Sequence, residues 1–251
     1  MTQLIKQKAG LSFVSQAMRT NRFKLFLETL QPGPDAAILD VGGTSAMWLG
    51  TGLEKNVTLL NLTEPKQKDL QMGFKAVKGN ALDMHMFADQ QFDIVFSNSV
   101  IEHVGSYENQ KRFASEVHRV GRHFWVQTPN RRFPVEPHFL FPFFQFLPRN
   151  MQKQIALIWK HSHFKRHGIS REKVLAELAN IRLLSEAEFN QLFSRANLIR
   201  EEMFGFTKSF VACAYRQRSL IESKSETCKS GGVFPAPGRV ERFLVAGRRQ
   251  M

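Results

Sequence analysis

The sequence predicts an α/β fold with a doubly wound, mostly parallel sheet, and three observations support this prediction. Short apolar runs alternate with stretches of helical spacing between residues 36 and 129. These runs are rich in Val, Ile and Leu, which is typical of parallel strands whose two faces are both covered. Two further apolar runs, at 198–206 and 209–216, are separated by a short turn and predict an antiparallel hairpin at the C-terminal end of the fold.

The predicted elements follow one another in a regular order. Apolar spacing predicts a helix from about Met18 to Leu30, which the Pro and Gly residues of 31–34 stop. Predicted strands follow at 36–41, 56–62, 74–79, 92–98 and 123–129, with the clearest intervening helix at 107–121. Near the end, Ser185 and Glu188 have the spacing of a capping box and predict an amphipathic helix at 185–197. Crossovers between parallel strands are nearly always right-handed, so we expect helices on both faces of the sheet.

The alternation stops at Pro129. Residues 130–170 are aromatic, rich in proline and basic, and we interpret them as a helical and aromatic insert after strand five. With 251 residues, of which 43% are hydrophobic, the chain is long enough for one sizeable core. We therefore predict a single domain over 1–215, which includes the insert, and a basic, poorly ordered tail over 216–251.

The formal net charge of +13 bears on partners rather than on the fold. Eight Lys and Arg residues lie between 131 and 171 against Glu136 alone, and eight more lie from Arg216 onward. Because the first group is interleaved with aromatic residues, we expect peripheral membrane association through 139–166; solvated surface charge is the alternative. Nucleic acid is not expected as a partner, since a basic patch alone gives only salt-dependent binding without sequence preference.

The sequence predicts a cytoplasmic protein that contacts membranes only at their surface. No run of about 18 uninterrupted apolar residues occurs, and the first residues lack the apolar core of a secretory signal. The two cysteines, Cys213 and Cys228, form neither a disulfide framework nor a metal-binding cluster. A reducing compartment is the plain interpretation.

The end of the first predicted strand is the clearest candidate for a ligand site. The acidic residue Asp40 stands near this end, and Gly42, Gly43 and Thr44 follow. Glycines let the backbone approach a ligand closely, and the N-terminus of a following helix attracts an anionic group. In an open parallel sheet, ligands bind at the carboxyl ends of the strands. These residues therefore predict a nucleotide-like ligand; a tight turn with no ligand is the alternative.

The ends of the next strands also carry small or polar residues. Asn61 stands where a ribose hydroxyl would need a partner, and Asn80 could read the edge of an adenine. In the predicted fold these strand ends face one crevice. The residues that we assign to this crevice beyond the glycine turn are Asn61, Leu62, Asn80, Ala81, Ser97 and Asn98.

Three motifs at their particular spacings resemble those of a known family: ILDVGGT at 38–44, GNALDM at 79–84 and FDIVFSNSVIEHVG at 92–105. The chain resembles class I S-adenosylmethionine-dependent methyltransferases. Within them it is most similar to the methyltransferase type 11-like group typified by the ubiquinone and menaquinone biosynthesis enzymes. The resemblance implies a Rossmann-like fold, methyltransferase activity and S-adenosyl-L-methionine as the cofactor. It covers 35–128 strongly and 185–215 by topology.

The resemblance also implies a role for each crevice residue. The glycine turn, with Asp40, would hold the methionine part of the cofactor. Asn61 would hold the ribose and Asn80, beside Ala81, the adenine, while the end of strand four at 97–98 would line the methyl-donating side.

Three departures from the family pattern concern these same positions. Thr44 and Ala46 stand where the family commonly has glycine, and both Asn61 and Asn80 replace acidic residues. An amide still forms hydrogen bonds, but it lacks the charge-assisted grip of a carboxylate. Glu64, three residues after Asn61, is a candidate to substitute for the missing acid.

Two pairs of residues are candidates for chemistry on the acceptor: Glu102 with His103 after strand four, and Glu136 with His138 in the insert. An oxygen or nitrogen acceptor must lose a proton, and His138 is the first candidate for the base because an unperturbed imidazole has a pKa near neutrality. Glu136 and His103 are assigned to the same site, and a purely structural role is the alternative for both pairs. No metal is assigned, since Ser99 stands where some quinone-pathway relatives have a further Glu, although Glu136 or His138 could complete such a set.

The resemblance predicts methyl transfer to a small or lipid-linked metabolite, such as a sugar, a glycolipid or a secondary metabolite. O-methylation is favoured because it is the commonest reaction among relatives with small acceptors, and the family commonly covers its acceptor with an element placed like 130–170. A nucleic-acid methyltransferase is one alternative, although no NPPY-like tetrad follows strand four. A non-catalytic S-adenosylmethionine-binding protein is another, and a nicotinamide-dependent oxidoreductase ranks last because the turn is not GxGxxG.

Overall fold

The computed structural model describes residues 17–136, 138–159, 168–214 and 241–244. Its main sheet has eight strands: β1 (Ile38–Val41), β2 (Val57–Asn61), β3 (Lys75–Lys78), β4 (Phe92–Asn98), β5 (Gly121–Pro129), β8 (Asn197–Met203), β9 (Phe206–Ala214) and β10 (Glu241–Leu244). They lie in the order β10-β8-β9-β5-β4-β1-β2-β3. β9 is antiparallel to both of its neighbours, and every other adjacent pair is parallel. This sheet confirms the predicted doubly wound, mostly parallel fold with its C-terminal hairpin.

Helices lie on both faces of the sheet. The first, α1, covers 17–30. The others are α2 (Gln67–Gln71), α3 (Tyr107–Val120), α4 (Arg149–Ile158), α5 (Arg171–Asn180) and α6 (Glu186–Leu192). The predicted capping box starts α6, where the Glu188 carboxylate accepts a hydrogen bond from Ser185 N at 2.8 Å and Ser185 Oγ accepts one from Glu188 N. The local signal in the sequence is thus sufficient to place this helix start.

Each face of the sheet carries its own apolar core. On one face, Phe113 of α3 and Phe189 of α6 are fully buried against the strands. On the other face, Phe26 of α1 packs edge-on against Trp48 and Phe96, with ring centroids 5.8 and 4.9 Å apart. Burial of one large apolar side chain stabilises a fold by about 1.5–3 kcal/mol. The carboxyl ends of the central strands are therefore held from both sides.

The chain after β1 corrects one expectation. Instead of a helix, Ser45–Met47 forms a single 3₁₀ turn, and Gly50 and Gly52 follow with φ of 78° and 79°. Glycines in this left-handed region commonly end helical structure. The turn after β1 therefore lacks the helix N-terminus that we expected there, and a ligand must be held by the backbone of the turn and by neighbouring side chains.

The insert forms a small subdomain that begins where β5 ends. Its short hairpin consists of β6 (Val135–Glu136) and β7 (Phe141–Pro142), and a 3₁₀ turn at Phe144–Phe146 leads into α4. Phe139 and Phe144 are buried together with Leu178 of α5 in a separate cluster. Since the insert follows the carboxyl end of a central strand, it lies at the edge of the sheet where ligands of such folds bind.

Most of the predicted tail, 215–240 and 245–251, lies outside the described residues. The exception is β10, which pairs in parallel with β8 at the edge of the sheet and so corrects the expectation of a poorly ordered tail at four residues. Residues 160–166 of the segment predicted to contact membranes are likewise outside the described part. None of the helices in the described ranges is long and apolar enough to cross a membrane.

Candidate active site

The turn after β1 has no room for side chains at its two glycines. Gly42 has φ +70°, and a Cβ there would lie 2.7 Å from Val100 Cγ2. A Cβ on Gly43 would lie 1.7 Å from Asp40 Oδ2. Gly42 and Thr44 are exposed, so the outer side of the turn is accessible. Both glycines are thus required by the geometry, and they leave the backbone open to a ligand.

Asp40 supports this turn from beneath. Its side chain is buried, Oδ2 accepts a hydrogen bond from Trp48 Nε1 at 2.7 Å, and Oδ1 has no hydrogen-bond partner among the described residues. Burial raises the pKa of Asp40 to about 7, although the bond from Trp48 opposes this shift. A buried polar atom without a partner is costly. The orphaned oxygen next to an accessible turn fits a ligand that brings a hydrogen-bond donor.

Asn61, at the end of β2, is tied to the same turn. Its Nδ2 donates a hydrogen bond to Gly43 O at 3.1 Å, which a carboxylate at this position could not do. Asn61, Gly43 and Glu64 line one narrow cleft of about 60 Å³. Glu64 Oε1 lies 2.5 Å from Lys78 Nζ, and Leu62 is largely exposed. The cleft therefore keeps an acidic group, supplied by Glu64 rather than by the end of β2.

The predicted adenine residues follow β3. Asn80 Oδ1 accepts a hydrogen bond from Leu82 N at 3.0 Å, and Asn80 forms an isolated bridge with Asp83. Ala81 is partly buried against the main core. The amide oxygen of Asn80 thus shapes its own turn, and its amino group is what remains to contact a ligand.

The end of β4 separates the two residues assigned to it. Ser97 is fully buried, with Oγ 3.5 Å from Val41 O, so it lies within the sheet and not on the crevice. Asn98 Oδ1 accepts a hydrogen bond from Arg22 Nη1 at 2.5 Å. Ser99 follows with φ 59°, and its Oγ donates to Gln127 Oε1 at 2.8 Å. Of the predicted pair, Asn98 alone reaches the carboxyl edge of the sheet.

The structure brings His103, Glu136 and His138 into one chain of contacts. His138 Nδ1 lies 2.6 Å from Glu136 Oε1, and His138 Nε2 lies 3.1 Å from His103 Nε2. The other oxygen of Glu136 accepts hydrogen bonds from the backbone N of His138 and of Phe139, at 2.8 and 2.7 Å. Glu136 is 2% exposed and therefore fixes the imidazole of His138 from inside the protein.

The surroundings give the two imidazoles different pKa values. Burial and the nearby His138 lower the pKa of His103 to about 4. Burial also disfavours the charged form of His138, but the hydrogen bond and charge of Glu136 outweigh it and raise the pKa of His138. A proton arriving at the pair therefore resides on His138, while His103, the more exposed of the two, stays neutral.

Glu102 lies behind this pair. It is fully buried, its Oε2 accepts a hydrogen bond from Thr128 Oγ1 at 3.1 Å, and Oε1 has no partner among the described residues. Burial raises its pKa to about 7 against the charge of His138. One ligand-type atom each from Glu102, His103 and His138 lies within 4.8 Å of the others, so the geometry also permits an ion in this cluster.

Two further cavities lie at the same edge of the sheet. One, of about 330 Å³, is inside the insert subdomain and is lined by Phe139, Leu183 and Glu136 together with three arginines. The other, of about 110 Å³, lies between α1 and β9 and includes Arg22 and Lys208. Sequence reasoning missed the second cavity, because its charged residues come from opposite ends of the chain and share no motif.

Comparison with known proteins gives one family match and several structural likenesses. Residues 39–123 match the family described as "Methyltransferase domain". A stretch of 57 residues is 39% identical to an uncharacterised protein from Mycobacterium tuberculosis, and it covers 23% of this chain and 20% of that relative. The chain thus spans about a fifth of the length of the curated relatives it matches.

Two solved structures illustrate the likeness of the fold. A Rhodobacter sphaeroides protein named for Zn-dependent alcohol dehydrogenases has a TM-score of 0.50 and 12% identity, covering 76% of this chain and 87% of that one. A SAM-dependent methyltransferase from Aquifex aeolicus has a TM-score of 0.46 and 13% identity, covering 76% and 86%. At such identities the likeness concerns the fold alone, and the family match over 39–123 carries the assignment of function.

Proposed function

Because residues 39–123 belong to the methyltransferase-domain family and form a class I domain whose cofactor is S-adenosylmethionine, we propose that this protein methylates a hydroxyl oxygen of a small or lipid-linked metabolite. The cofactor supplies a methyl group already activated for transfer, so the protein must bind, orient and deprotonate the acceptor. The observation that supports this reaction is the contact chain from Glu136 through His138 to His103, at the carboxyl edge of the sheet.

The residues at the β1 turn fit the methionine and ribose parts of the cofactor. The Gly42–Gly43 backbone is exposed and cannot carry side chains, and Asp40 leaves one buried oxygen without a partner. Asn61 and Glu64 offer polar groups in the cleft beside the turn. We propose that these five positions bind the cofactor, with Asn98 facing the methyl-donating side.

Cofactor binding is the first test of this proposal. Titration calorimetry with S-adenosylmethionine and with its demethylated product, S-adenosylhomocysteine, should give dissociation constants of about 1 µM to 1 mM. A screen of hydroxylated acceptors with methyl-labelled cofactor then tests the reaction. If neither cofactor form binds, the proposed function is wrong. If both bind but amines alone are methylated, the proposal fails at the acceptor.

A histidine pair suits a hydroxyl acceptor for a chemical reason. The hydroxyl must lose its proton during transfer, and a neutral imidazole within reach can take it. His103 is neutral at neutral pH, and the Glu136 carboxylate stabilises a proton on His138. We propose that the proton passes through His103 to His138. A nucleic-acid acceptor is disfavoured, since the sequence after β4 lacks a tetrad for base amines.

We also propose that the insert contacts an anionic membrane surface from which a lipid-linked acceptor is drawn. Phe143 and Phe146 are 58% and 53% exposed, and Met151 and Ile158 are also exposed on α4. No acidic residue occurs from 137 to 171, so basic groups such as Arg149 and Lys153 surround these apolar side chains. Exposed aromatics beside basic residues are typical of interfacial membrane binding.

Vesicle flotation tests the membrane proposal. The full chain should float with vesicles containing anionic lipid and should remain at the bottom with neutral vesicles. Replacing Phe143 and Phe146 together by Ser should reduce the floated fraction, because both side chains are removed from the insert surface. Leu70→Ser, which changes an exposed leucine on α2, is the matched control and should float like the wild type. Equal flotation of the double variant and the wild type would contradict the assignment of this surface.

A further inference from the structure

We propose that the cavity between α1 and β9 binds an oxyanion, a carboxylate or a phosphate, of the methyl acceptor; this inference rests on the proposed function and specifies its substrate class. Six polar or charged residues line the cavity: Arg19, Arg22, Ser99, Gln127, Lys208 and Ser209. The remaining lining residues among those the structure describes are Pro129 and Phe133, so the walls carry cations and no acid. A pocket with this lining favours an anionic group.

Lys208 is the cation that the fold leaves for such a ligand. Its Nζ lies 2.9 Å from Met18 Sδ, which is a weak acceptor, and no carboxylate of the described residues pairs with it. Burial and the charge of Arg22 lower the pKa of Lys208, although Glu201 opposes this. A partly buried ammonium group without a carboxylate partner is costly, and a bound oxyanion would remove that cost.

Arg22 has a different role in the same cavity. Its guanidinium donates to both carboxylate oxygens of Glu201, at 2.8 and 2.7 Å, so its charge is largely balanced. Its third contact, to Asn98 Oδ1, ties the wall of the cavity to the end of β4. An oxyanion at Lys208 would therefore be held beside the strand end that we assign to the methyl-donating side.

The order of the strands separates this cavity from the cofactor turn. Gln127 belongs to β5 and Ser209 to β9, whereas Gly43 follows β1 and Asn61 ends β2. β4 lies between these two groups of strands. The cavity is therefore on the acceptor side of β4, and its anion belongs to the acceptor and not to the carboxylate of the cofactor.

The test titrates inorganic phosphate and, separately, benzoate into the full chain saturated with S-adenosylhomocysteine. Lys208→Met keeps the aliphatic stem and removes the charge, and Lys208→Arg keeps the charge. Lys24→Met, on an exposed position of α1, is the matched control. We expect the wild type, Lys208→Arg and Lys24→Met to bind at least one probe, and Lys208→Met to bind it roughly ten- to a hundredfold more weakly. The stronger of the two probes identifies the oxyanion as phosphate or carboxylate.

Each other outcome is decisive. The proposal is overturned if the wild type binds neither probe, or if Lys208→Met binds them as tightly as the wild type does. It is also overturned if Lys208→Met loses S-adenosylhomocysteine, because the cavity then serves the carboxylate of the cofactor. If the wild type itself fails to bind S-adenosylhomocysteine, the proposed function falls, and the probe titrations repeated without it still decide the oxyanion site. Thermal unfolding of every variant verifies that it is folded.

Discussion

Gly43→Ala is expected to eliminate measurable binding of S-adenosylmethionine. The added methyl group would lie 1.7 Å from Asp40 Oδ2 and 1.9 Å from Asp40 Cγ, far inside any real contact. The carboxylate cannot move freely, because it is buried and bonded to the indole of Trp48. The turn itself must therefore shift, at a cost of about 3 kcal/mol, which is roughly a hundredfold in affinity.

The matched control for this experiment is Gly33→Ala. Nothing lies within 4 Å of a Cβ at Gly33, so this variant should bind the cofactor like the wild type and remain equally stable. Calorimetry measures the affinity, and circular dichroism verifies that Gly43→Ala retains its secondary structure. A folded Gly43→Ala protein that binds S-adenosylmethionine with wild-type affinity would refute the assignment of the turn as the cofactor site.

The placement of the glycine turn was predictable from the sequence, but its exact neighbourhood was not. An apolar strand that ends in an acid and two glycines indicates a ligand turn in a parallel sheet. Gly50 and Gly52 also carry the signal that no helix follows, since both adopt positive φ. The contact between Asn61 Nδ2 and Gly43 O depends on how β1 and β2 pair, which no local pattern encodes.

Strands buried on both faces limit what sequence patterns can say about the site. Alternation of apolar and polar residues identifies the ligand-facing side of a half-buried strand, but the four residues from Ile94 to Ser97 are apolar or small and are all buried or nearly so. Ser97 was assigned to the crevice on its position in the motif, and it lies inside the sheet instead. The Lys208 cavity was missed because it joins residues about 190 positions apart, Met18 and Lys208.

The histidine pair is intermediate between these cases. Each histidine could be selected from its position after a strand, and the resemblance drew attention to both. Their contact spans 35 residues and depends on the insert folding back over the end of β4. The asymmetry of their pKa values follows from burial and from Glu136, and it required the structure.

His138→Ala is expected to reduce methyl transfer by about a hundred- to ten-thousandfold, because it removes the group that holds the acceptor proton. Cofactor binding should be unchanged, since none of the residues assigned to the cofactor contacts His138. The measurement is the rate of methyl transfer at saturating cofactor with the best acceptor from the screen. Dialysis of the wild type against a chelator is run in parallel: a loss of activity that added metal restores would assign the cluster to a metal ion instead.

Glu136→Gln separates a proton-accepting role from a structural one. Glu136 raises the pKa of His138, so the amide should lower it, and the rate on the acidic side of the pH profile should reach half its maximum at a lower pH. In stability, the raised pKa means that the contribution of this pair is fully present below the unfolded value of 6.5 and is lost as the pH rises through the folded value. Glu136→Gln should therefore destabilise the fold more at acidic than at alkaline pH.

The control for both variants is His118→Gln, which replaces an exposed imidazole near the end of α3, bonded to Leu192 O at 3.3 Å. It should leave the rate and the pH profile as in the wild type. Titration of the His138 imidazole by nuclear magnetic resonance follows its pKa without an acceptor, so the effect of Glu136→Gln can be measured independently of activity. If the His138 pKa falls but the pH profile of the rate does not move, the pair is structural, and the acceptor must lose its proton to another group or to water.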